Sequence, residues 1–116
     1  MTTEKEKIRY MIDCITRENN LINAKLSDNS WQGKFVVVTH DFRMQVVENG
    51  NGVAVEQLTE KATAAFFSEN KAESLSHYGW ANVHNFVSFI RMEAYDYLKV
   101  LKASNNRTIA ILNELL

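Results

Sequence analysis

Apolar residues recur at three- and four-residue steps near both ends of this chain and at two-residue steps between them. Ile8, Met11, Ile12, Ile15, Ile22 and Leu26 fall on one side of a helix. Thr3 and Glu6 form a Thr-x-x-Glu capping box ahead of that helix, and Asp13 and Arg17 can pair across one turn. Ser27-Asp28-Asn29-Ser30 stops it with side chains that bond their own backbone, and Trp31 and Gly33 lie in the following loop. From Lys34 the period is two. Phe35 to Thr39 is a β-branched run covered on both faces, and Phe42, Met44 and Val46 alternate with Arg43 and Gln45 as a half-buried strand. His40-Asp41 is the turn or bulge between the two. Asn49-Gly50-Asn51-Gly52 reads as a tight hairpin, with Val53 and Val55 in a third strand.

After the strands the helical spacing returns. Thr59 and Glu60 open a second helix that turns Ala62, Ala65 and Phe66 inward and Phe67 to an adjacent side. Asn70 to Ser76 is a polar connection with one helical turn at Ser74–Tyr78, broken by Gly79. Trp80 then leads into a long helix from Asn82 to Ala103. Its stripe is Val83, Phe86, Val87, Ile90, Ala94, Tyr97, Leu98 and Leu101, with Phe89, Met92 and Val100 outside it. Arg91, Glu93, Asp96 and Lys99 give it a polar edge. So much apolar circumference implies several neighbours or a second subunit. Ser104-Asn105-Asn106 ends this helix, and Ile109, Leu112, Leu115 and Leu116 mark a short terminal one. The expected fold is α+β: one domain over residues 1–116, with a three-stranded antiparallel meander packed by an N-terminal, a middle, a long apolar and a short C-terminal helix.

Composition narrows the function. With 116 residues the chain suits one domain, and its 46% hydrophobic content is that of a globular protein. Thirteen basic and fourteen acidic residues nearly cancel, which argues against a duplex nucleic-acid binder. Cys14, the one cysteine, excludes an internal disulfide framework and is expected as a small buried thiol. The polar start and the lack of a long apolar run point to the cytoplasm, with no membrane partner. Asn106-Arg107-Thr108 matches a glycosylation sequon that has no use there.

Catalytic and metal signals are weak. Adjacent His40 and Asp41 point to opposite faces of a strand and converge only in a turn. His77 and His84 lack a third ligand at a recognisable spacing. No Gly-x-Ser-x-Gly elbow occurs, and the NGNG stretch is a hairpin turn rather than a phosphate loop. No residue is therefore assigned a catalytic or metal role, and no cofactor is expected. The second half does concentrate aromatic rings: Phe66, Phe67, His77, Tyr78, Trp80, Phe86, Phe89 and Tyr95. With Arg43, Arg91 and Arg107 they suit a site that stacks a base and forks onto phosphate. Asn82 and Asn85 add polar groups beside free N–H groups at a helix start, with His84 between them. The candidate ligand residues are Arg43, Phe67, Asn82, His84, Arg91, Tyr95 and Arg107.

From Arg43 to Arg91, the DFRMQVVENGNG hairpin, the ATAAFF segment and the GWANVHNFVSFIR stretch resemble the phage Thoeris anti-defence sponge family. That resemblance implies an oligomeric, non-catalytic protein that sequesters cyclic ADP-ribose-type signals made by bacterial TIR proteins. It implies aromatic stacking and diphosphate contacts at positions such as Phe67, Arg43, Arg91 and Arg107. The expected function is a homo-oligomer that binds a small phosphorylated nucleotide unaltered. The alternative is a phage-borne inhibitor or adaptor that grips a host protein through the apolar side of the long helix.

Overall fold

The computed structural model describes residues 3–50, 52–82 and 88–116, with backbone alone for 78–82. The elements are α1 (Glu4–Leu26), β1 (Lys34–Thr39), β2 (Met44–Asn49), β3 (Gly52–Gln57), β4 (Phe67–Ser68), α2 (Glu69–Asn82), β5 (Phe89–Glu93) and α3 (Ala94–Glu114). Single 3-10 turns occupy Asn29–Trp31 and Lys61–Thr63.

β1 is the centre of a five-stranded antiparallel sheet. β5 runs along one of its edges, from Phe35 opposite Glu93 to Thr39 opposite Phe89. The other edge is shared, with β4 at Phe35–Phe67 and β2 at Val38–Gln45. β3 pairs with β2 from Met44–Gln57 to Asn49–Gly52. Because side chains alternate, β1 feeds two cores. Val36 and Val38 pack with Ile22, Leu58, Tyr97, Leu98 and Leu101 beneath the α1–α3 pair. Val37 packs with Val46, Ala72, Leu75 and Phe89 beneath α2. The result is three layers, helix pair, sheet and single helix, an α+β arrangement.

Several expectations hold. The Thr3–Glu6 capping box forms in both directions. The β1–β2–β3 meander is present, and Gly50 has φ +62° in its hairpin. His40 and Asp41 are a turn, closed by the Phe42 N–H donating to the Thr39 carbonyl at 2.9 Å.

Others are corrected. The stretch Asn82–Ala103 is not one helix. Asn82 ends α2, residues 83–87 lie outside the described part, and Phe89–Glu93 is strand β5. Ile90 and Met92 face the helix-pair core while Phe89 faces the other, so a period of two satisfies these residues as well as 3.6 does. The open edge of β1 decides between them by offering five residue pairings. Thr59 starts no helix, because only the Lys61–Thr63 turn follows it. The polar stretch after Asn70 is instead part of α2, which continues through Gly79. Ser104-Asn105-Asn106 does not end a helix either, and α3 runs unbroken to Glu114 with no separate terminal helix. The amides of Asn105 and Asn106 are spent sideways on α1 rather than on the backbone. Cys14 is half-buried, not enclosed.

Candidate functional site

The β1–β2 turn is the most tightly specified polar feature. The Thr39 hydroxyl donates to the Asp41 carboxylate at 2.7 Å and accepts the N–H groups of Arg43 and Met44, each at 3.2 Å. Asp41 also accepts the Arg43 N–H at 3.1 Å. The Thr39 hydroxyl bond, then the Arg43 N–H, holds the Asp41 carboxyl below its ordinary range. Phe42 follows with φ +58°, a left-handed conformation rare for a bulky residue. Its ring lies edge-on to the buried Tyr97 ring, centroids 5.0 Å apart, so core packing holds the strained backbone.

Beside this turn is a shallow cavity of about 340 Å³, lined by Thr39, His40, Asp41, Arg43, Met44 and Ser88. Asp41 meets Arg43 at Nε, 3.6 Å away. The Arg43 side chain is 80% exposed, so its guanidinium is open to solvent at the cavity wall. Planar, paired donors of that kind match a phosphate or carboxylate. His40 is exposed beside it and offers an aromatic face.

Arg91 lies on β5, opposite Val37 and on the α2 side of the sheet. Its Nη1 is 3.5 Å from a Glu73 carboxylate oxygen, and its guanidinium is 5.6 Å from the centre of the Phe35 ring. Phe67 pairs with Phe35 across β4 and β1 and is half-buried in the same core. The structure therefore brings Arg91 and Phe67 together around Phe35, with Arg43 at the end of the same sheet. It does not add Tyr95, which sits on the opposite side with its hydroxyl donating to the Asp28 carbonyl. Arg107 is exposed on the distal half of α3. The Asn82 side chain, His84 and Asn85 lie outside the described part. So does the anion site expected at a helix start there, and Asn82 itself closes a helix instead of opening one.

Sequence reasoning overlooked Thr39, Met44, Ser88 and Glu73. The signal for the first was present: Thr39-His40-Asp41 places two oxygens where a turn would use them. Among the described residues no group of three or more His, Cys, Asp or Glu side chains could hold a metal ion, and no helix is long and apolar enough to cross a membrane.

Comparison with known protein families, with curated proteins and with solved structures finds no match to this chain. The functional reading rests on side-chain chemistry.

Proposed function

We propose that this protein binds and sequesters a small phosphorylated nucleotide of the cyclic ADP-ribose type, as a homo-oligomer and without altering it. The observation that carries the reading is Arg43, exposed and with Nε 3.6 Å from Asp41, lining one cavity together with His40. The fork takes a phosphate and the imidazole face covers a base. Arg91 is the second cation, less available because a ligand must displace Glu73. The resemblance to the Thoeris anti-defence sponges points the same way, to a phage counter-defence role in a host cytoplasm.

Calorimetry with cyclic ADP-ribose isomers and cyclic dinucleotides is the test. A charge-assisted hydrogen bond contributes roughly 1.5–3 kcal/mol, so Arg43→Ala should weaken binding by about ten- to a hundredfold. Arg43→Lys should recover only part of that, because lysine lacks the fork. Ligand released on denaturation should be chemically intact, whereas an enzyme would return product. A parent protein that binds none of these nucleotides refutes the reading.

A second reading, a protein-binding inhibitor or adaptor, draws on the exposed Val100 and Ile111 of α3. No thermal shift with nucleotide and a stoichiometric complex with one host protein would favour it.

A further inference from the structure

Strand β3 ends the sheet on the β2 side, and its outer edge is bare. Gly52 to Gln57 are matched one to one with β2, without a bulge. The hairpin closes at the Asn49–Gly52 pair, which in a tight turn exchanges hydrogen bonds, and such pairs recur at every second residue. At the far end the Leu58 N–H donates to the Arg43 carbonyl at 2.7 Å, in the same phase. Gly52, Ala54 and Glu56 therefore spend their backbone groups on β2. Val53, Val55 and Gln57 turn theirs away from it, and among the described residues no strand or side chain bonds to them.

An unpaired row of this kind is a template for another strand, and proteins blunt it with lysine, proline, bulges or charge. The β5 edge carries Arg91 and Glu93. β3 has no lysine, arginine or proline, and its one charge is Glu56. Val53 and Val55 lie on the α2 face and are half-buried, so an apolar neighbour there completes their cover. Glu56 lies on the opposite face. Its Oε1 accepts the Gln45 amide at 2.8 Å, and among the described residues it meets no cation.

Because Glu56 bonds inward to β2, a strand added outside β3 faces it across a non-hydrogen-bonded pair, where side chains are closest. An opposite charge is favoured at such a position and a like charge is rejected. A second copy of β3 brings no cation to it. Glu56 therefore selects against self-pairing and for a basic strand.

We infer that the β3 edge takes up an extended segment of a different protein as an added strand, with an apolar residue beside Val55 and a lysine or arginine beside Glu56. Backbone bonds to Val53, Val55 and Gln57 hold the segment, and Glu56 chooses it. Neither functional reading is needed for this, since none of these residues lines the cavity beside Arg43 or belongs to α3.

The test adds a labelled synthetic peptide, alternating valine with threonine around one lysine, to the full chain, with amide hydrogen exchange read by nuclear magnetic resonance. In the free protein the Val53, Val55 and Gln57 amides should exchange quickly while those of Ala54 and Glu56 are protected. The peptide should bind and protect all three. The same peptide with glutamate for lysine should bind about tenfold more weakly, and Glu56→Lys should reverse that order. Val55→Pro removes an outward N–H and spares the β2 ladder, so it should abolish binding with an unchanged circular dichroism spectrum. Should Val55→Pro unfold the protein, Glu56→Lys decides, and an unreversed order overturns the inference. A parent that does not bind the lysine peptide, or binding that survives Val55→Pro, overturns it too. So do outer amides already protected in the free protein, which would place a segment of this chain or a second copy on the edge.

Discussion

Replacing Phe42 separates two effects that oppose each other in the turn carrying Arg43. The left-handed backbone at φ +58° costs a residue with a side chain roughly 1–2 kcal/mol relative to glycine. The ring offsets this by packing edge-on to Tyr97, 5.0 Å away, and by half-burial in the helix-pair core. Half-burying a phenylalanine contributes about 1–1.5 kcal/mol, and the edge contact about 0.5–1.5 more. Phe42→Ala keeps the strain and loses the ring, so it should destabilise by about 2–3 kcal/mol. Phe42→Gly loses the same ring and relieves the strain, although the more flexible unfolded chain takes back about 0.4–1 kcal/mol. Glycine should therefore be the more stable of the two by about 0.5–1 kcal/mol, reversing the usual order for these residues. Urea unfolding with a common slope reads this directly as a difference in midpoints. In a thermal melt it is a gap of a few degrees. Alanine equal to or better than glycine would mean that Phe42 is not left-handed and that Arg43 leaves the turn in another direction.

Three further outcomes follow from the fold. Gly50→Val should lower the urea midpoint by about 1 kcal/mol or more on conversion, because φ is +62° there although the space for a Cβ is open. Asn105→Ala should cost about 1–3 kcal/mol in the same assay by leaving the buried Asn19 carbonyl oxygen without its donor. Asp41 is held more acidic in the folded state, so its contribution is complete above its unfolded value, about pH 4. It is lost as pH falls through the lower folded value. Asp41→Ala should therefore flatten the loss of stability on acid titration below about pH 4 while lowering stability at neutral pH.

Local signals in the chain were readable where one interaction decided the structure. The Thr3–Glu6 box, the β-branched run at Val36–Val38 and the glycine of the β2–β3 hairpin each act within a few residues. Helix α2 was hidden because only Ala72 and Leu75 are buried among its described side chains, leaving no apolar stripe to follow. Its start was marked by Ser68, whose hydroxyl accepts the Lys71 N–H. Strand β5 was misread because Phe89, Ile90 and Met92 satisfy both periods, and only pairing with β1 resolves them. Asn105 and Asn106 look like a helix stop until their partners on α1, more than eighty residues away in sequence, are known. Arg43 could be picked out as a candidate cation, but its pairing with Asp41 depends on the turn. Arg91, expected on the polar edge of a long helix as a phosphate contact, is a strand residue 3.5 Å from Glu73.

Native mass spectrometry of the protein purified from cells expressing a TIR enzyme tests the central claim most directly, because it weighs the assembly and its cargo together. The account predicts an assembly of two or more subunits carrying an intact cyclic nucleotide, which Arg43→Ala loses without losing the assembly. A ligand-free protein from those cells, or one that returns a chemically altered nucleotide, would contradict it.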